Sequence, residues 1–120
     1  MTIQTVHAKS GCTIYALITD CNNTPIQQTD LSKITYAIYR IVDFGNYLPV
    51  EGHQDVEVLN SAISDTLQTQ VHTGEEYNFQ LLISAKESLP FPERNAEYRV
   101  EIAFHDLDGE PHIVPVACQT

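Results

Sequence analysis

The chain has 120 residues, a length that holds one domain with a real hydrophobic core, so neither a disulfide framework nor a structural metal is needed for folding. Sixteen acidic residues against six basic ones give a formal net charge of -10, which repels a phosphate backbone and an anionic membrane alike. Nucleic acid and membranes are thereby excluded as expected partners, and the expectation is a soluble protein synthesised in the cytoplasm.

The apolar residues fall in short alternating runs, with no stretch near the ~20 needed to span a bilayer and no basic-then-apolar leader at Met1. A first strand over residues 2–8 rests on Ile3 and Val6, with poor alternation. Over residues 12–19, Ile14, Ala16 and Ile18 alternate with Thr13, Tyr15 and Leu17, the period of a strand with two different faces. The turn cluster Asp20-Cys21-Asn22-Asn23-Thr24-Pro25 follows, then one helical turn capped by Thr29, and together they read as a crossing from one sheet to another. Ile34, Tyr36 and Ile38 alternate with Thr35, Ala37 and Tyr39 in a second strand over residues 32–42.

Phe44-Gly45-Asn46-Tyr47-Leu48-Pro49 and Glu51-Gly52 interrupt the pattern before Val56 and Val58 offer a short strand. Residues 60–67 fit a short helix capped by Asn60 or Ser61, or equally an irregular crossover. Strand periodicity returns with Tyr77, Phe79, Leu81 and Ile83, and Pro90 and Pro92 close it because proline cannot donate to a ladder. Tyr98, Val100, Ile102 and Phe104 then alternate with Arg99, Glu101 and His105, and residues 111–116 return as the partner of a hairpin whose turn holds Gly109.

About seven short strands with at most one short helix predict an all-β chain: residues 1–120 as a single immunoglobulin-like antiparallel β-sandwich. Tyr98 opens the penultimate strand after a proline-containing loop, where such sandwiches place a tyrosine bonded back to the backbone, although it also fits as an ordinary core aromatic. The absence of Trp and of a matched Cys pair on the second and sixth strands separates the chain from antibody domains. Strand parity puts Ile14, Ile18, Ile34, Ile38, Phe79, Leu81, Val100, Ile102 and Phe104 in the core and leaves Arg99 and Glu101 wet. Pro115 in the last strand predicts a sheet edge there.

Chemistry-bearing patterns are sparse. Asp106-Leu107-Asp108-Gly109-Glu110 begins like a hard-cation loop but lacks the further ligands, and a plain hairpin turn uses the same residues. His7, His53, His72, His105 and His112 are dispersed; only His105 and His112, flanking the turn, are placed to face each other. Cys12, Cys21 and Cys118 form an odd set without a Cys-x-x-Cys pair, so reduced structural thiols are expected, with a bridge from Cys12 or Cys21 to Cys118 as the alternative. No Gly-rich phosphate cradle and no nucleophile elbow is present. Hence no catalytic residue, cofactor or metal is assigned, and folding is expected to be insensitive to chelators and reductants. Phe44, Tyr47 and Phe91, with Tyr39, are candidates for an interaction surface, the alternative being that Phe44 and Phe91 plug the ends of the sandwich.

The order of Asp65-Thr66-Leu67-Gln68-Thr69, Tyr77-Asn78-Phe79, Tyr98-Arg99-Val100-Glu101 and Gly109-Glu110-Pro111 resembles that of small, uncharacterised immunoglobulin-like proteins of bacterial genomes, some in phage-like gene clusters, over residues 34–116. The resemblance implies a non-enzymatic structural or interaction module, a minor component of a phage or phage-like particle with other proteins as partners. Two other functions stay open: an accessory domain of a secreted or surface protein that binds carbohydrate or protein, and a small hydrolase.

Overall fold

The computed structural model describes residues 3–20, 22–43, 45–71, 73–108 and 111–120. Nine strands run among them: β1 (Ile3–Thr5), β2 (Cys12–Ala16), β3 (Leu31–Asp43), β4 (Asn46–Pro49), β5 (Val56–Val58), β6 (Ile63–Thr69), β7 (Glu76–Ile83), β8 (Glu97–Asp106) and β9 (Pro111–Gln119). The larger sheet has the order β1-β9-β8-β3-β4, with β5 also on β3, and the smaller has the order β2-β7-β6. With β3, β8 and β9 in one sheet and β2, β7 and β6 in the other, the chain is an immunoglobulin-like β-sandwich, and β4 extends the first sheet as in variable-type domains. One pair departs from the antiparallel expectation, because β1 runs parallel to β9.

The alternation seen in β3 and β8 is the reason for this arrangement. Their registers pair Ile34 with Phe104, Tyr36 with Ile102 and Ile38 with Val100, so one parity of both strands faces the smaller sheet. All nine residues assigned to the core are buried there, and Phe79 of β7 meets Phe104 of β8 edge to face, with ring centroids 5.0 Å apart. Arg99 and Glu101, on the other parity, remain about one-third exposed.

Several local expectations are corrected. The turn before β3 is a 3-10 turn over Gln28–Asp30, and what closes it is the Asp30 carboxylate accepting from the Gln27 N–H at 3.0 Å, rather than a Thr29 cap. Residues 60–67 are mostly extended: a 3-10 turn over Asn60–Ala62 leads straight into β6, since Ile63 pairs with Phe79 and draws the chain into the smaller sheet. Met1 and Thr2, the expected start of the first strand, and Gly109 of the last hairpin lie outside the described residues, as do Cys21, Phe44, His72 and Glu110. Among the described residues β1 covers β9 at Ala117, Cys118 and Gln119, and no strand covers that side of β9 at Pro115, where an edge was expected.

Tyr98 adopts the corner role. Its hydroxyl accepts the Glu93 N–H at 2.8 Å while its ring, fully buried, packs on Phe91 with centroids 5.2 Å apart. Tyr98→Phe should therefore destabilise the fold by about 1–3 kcal/mol in urea melts, by leaving that N–H without its acceptor; an unchanged midpoint would show that the bond contributes nothing.

Cys12 and Cys118 are free thiols. Burial pushes the Cys118 thiol from 9.0 up to about 12, with the Cys12 thiol adding to the rise, and burial pushes Cys12 up to about 11. Below about pH 9 both folded and unfolded chains keep these protons; above it only the unfolded chain ionises, so stability falls as pH rises towards the folded value. For Cys118 the loss should be about 1.4 kcal/mol per pH unit over this window. Urea melts at about pH 8 and pH 10 test it, and a loss that persists undiminished in Cys118→Val would place its origin elsewhere.

Candidate functional site

The face of the larger sheet turned away from the core is the first candidate. Register builds it in rows across β3, β8 and β9: Tyr39–Arg99–Ala117, Ala37–Glu101–Pro115 and Thr35–Ala103–Ile113. Small side chains at Ala37, Ala103 and Ala117 keep its middle flat, while Ile113 on one side and Tyr47 on the other stand 56% and 46% exposed. Tyr47 reaches this face because β4 pairs it with Ile41, on the outward parity of β3.

The polar groups of the face are organised around Tyr47. Its ring meets that of Tyr39 edge to face at 6.5 Å, and the Arg99 guanidinium lies 5.8 Å from the Tyr47 centroid, a cation–π arrangement. Arg99 Nε stands 3.0 Å from Glu101 Oε1 but off the N–H direction, making an ion pair rather than a hydrogen bond. Partly exposed, that pair adds little to stability and serves chiefly to hold the Arg99 plane against the ring. On the outward parity of β3 and β8, Lys33 and Arg99 balance Glu97 and Glu101, and Glu57 of β5 stands beside Thr35 at the margin, so an aromatic and aliphatic surface of nearly neutral charge is set in a chain of net charge -10.

The three expected surface aromatics do not assemble. Tyr47 is on this face, Phe44 lies outside the described residues, and Phe91 is fully buried against Tyr98. Phe91 therefore plugs the sandwich and is withdrawn as a contact residue: the 84–96 loop folds inward there, and the Phe91 carbonyl accepts the Lys9 N–H at 2.8 Å. Ile113, Arg99 and the three alanines were missed as members of the face. Their parity was legible, but which strands lie beside one another was not.

The histidine pair is also corrected. His112 pairs with Phe104 and His105 with Pro111, so adjacent positions of opposite parity send the two imidazoles to opposite faces. His112 Nε2 instead lies 3.8 Å from Asp106 Oδ2, and Asp106 Oδ1 accepts the Asp108 N–H at 2.9 Å, closing a local turn.

A second feature is a lateral cleft of about 610 Å³ between the sheets, where the chain crosses from β5 to β6. Tyr36 and His53 lie at its inner side: the Ser88 carbonyl accepts from His53 Nε2 at 2.8 Å, which fixes the tautomer, so the Tyr36 hydroxyl donates to Nδ1 at 2.9 Å. Burial raises the Tyr36 phenol above its ordinary pKa, which keeps that proton in place. Gly52, at φ +84°, makes this approach possible, because a Cβ there would strike the Ser88 side chain. No helix among the described residues is long and apolar enough to cross a membrane. In comparisons with protein-family models, curated proteins and solved structures, the chain matches none.

Proposed function

We propose that this protein is a non-enzymatic interaction module that docks onto another protein through the outer face of its larger sheet. The observation that carries the reading is the face itself: Tyr47 and Ile113 project from a flat, nearly neutral patch on an otherwise acidic chain, with Arg99 already stacked on Tyr47. Aromatic residues and arginine are the groups enriched where protein interfaces bind most strongly. Ordering costs little here, since the three strands hold the rows in register and Arg99 is held between Tyr47 and Glu101. The resemblance to proteins of phage-like gene clusters supports a structural role in a particle, as a minor component.

The test is light scattering after size exclusion, with the products of the neighbouring genes added one at a time. One of them should form a complex, and Tyr47→Asp with Ile113→Asp should weaken it about tenfold or more while the fold is kept. Binding that is unchanged in that double variant would reject this face, and a chain that joins none of these products but turns over a small substrate would reject the reading altogether.

A further inference from the structure

The lateral cleft lies on a different side of the sandwich from the Tyr47 face, and its wall is an unfinished sheet. β2 pairs with β7 over its whole run from Phe79 to Ile83. On the other side β6 accompanies β7 only as far as Ile63–Phe79, and there the chain leaves through the Asn60–Ala62 turn to β5, which pairs with β3 in the larger sheet. Among the described residues no strand pairs with that side of β7 from Gln80 onwards, and this stretch lines the cleft. Opposite it stand Val56 and Val58 of β5, so the opening is bounded by two strands that belong to different sheets.

We infer that this cleft accepts an extended segment of another polypeptide, which adds to the free edge of β7 as a further strand of the smaller sheet. Backbone donors and acceptors repeat along a free edge at strand spacing, and an extended main chain is the ligand whose own groups repeat in the same way. The free stretch from Gln80 to Ile83 spans about 13 Å, enough for about four residues of a guest strand. Alternate guest side chains would then point inward towards Leu81, Val56 and Val58 and outward to water. The volume is within the range of about 300–1,000 Å³ typical of ligand clefts.

Charge selects the guest. Glu87 lines the cleft beside Lys86, Glu57 stands at its rim on the outward parity of β5, and the whole chain carries -10, so a guest with basic residues beside its apolar ones is attracted. The same charge opposes a second copy of this acidic chain as the source of the strand.

The experiment is selection of a displayed library of random dodecapeptides on the intact protein, followed by titration of the most enriched synthetic peptide into isotope-labelled protein. The expected peptides combine β-branched residues with Lys or Arg, perturb the amides from Gln80 to Ser84 and from Val56 to Val58, and slow amide exchange along Gln80–Ile83. N-methylation of alternate peptide bonds should weaken binding about tenfold or more by removing the guest's own donors, and Glu57→Lys with Glu87→Lys, both exposed, should weaken it about threefold or more at low salt. Absence of enrichment, or equal binding of the N-methylated peptide, overturns the inference. Perturbations confined to the rows around Tyr47 also overturn it, while leaving the docking face proposed above intact.

Discussion

Phe104→Ala is expected to cost about 3–5 kcal/mol, a large share of the stability of a domain of this size. Phe104 is fully buried towards the end of β8, between its register partners Ile34 and His112, and its ring is the one that meets Phe79 of the opposite sheet edge to face. Truncation removes the transfer free energy of the ring, and the pleats of two paired strands cannot collapse far into the space left behind. Urea melts at neutral pH measure the loss, and a change below about 1 kcal/mol would mean that the ring does not bridge the two sheets.

Asn78→Leu is the second substitution with a large expected effect. Asn78 lies 1% exposed on β7 and works as a short piece of backbone: its Oδ1 accepts the Ile18 N–H at 2.7 Å, and its Nδ2 donates to the Ile18 carbonyl at 2.8 Å and the Ile26 carbonyl at 3.2 Å. Ile18 and Ile26 are the two ends of the turn that carries the chain out of β2, joined by the Ile26 N–H bonding to the Ile18 carbonyl at 3.0 Å. Leucine is close in size but leaves the Ile18 N–H and two carbonyl bonds unmade in a dry environment, at about 1–3 kcal/mol for an orphaned group. The total should reach about 3 kcal/mol, and Asn78→Asp should cost at least as much at neutral pH, because a buried carboxylate keeps one acceptor but turns its other oxygen on two carbonyls. If Asn78→Leu melts like the parent chain, water rather than Asn78 satisfies the turn.

Both substitutions separate stability from binding. Phe104 and Asn78 are buried, whereas Tyr47 and Ile113 project from the outer face, and Glu57 and Glu87 are exposed at the cleft. A variant of the second kind that loses a partner without moving its melting midpoint reports on a surface, and one of the first kind cannot.

Strand parity and strand position were legible in the sequence because the side-chain period of a strand is two, so Ile34, Ile38, Val100, Ile102 and Phe104 declare their face wherever the strand is placed. The corner made by Tyr98 was legible for a similar reason, since a tyrosine just after a proline-containing loop needs only local backbone for its hydroxyl. Only the tertiary structure decided which strands became neighbours. The parallel pairing of β1 with β9, the descent of Phe91 into the core, the separation of His105 from His112 and the gathering of Tyr47, Arg99 and Ile113 on one face all join residues through contacts that no local period encodes. The same holds for the cleft beside β7: Gln80 to Ile83 alternate like any paired strand, and the edge is free because β6 departs at Ile63 to cross from the other sheet, a matter of where the chain must go rather than of which residues it carries.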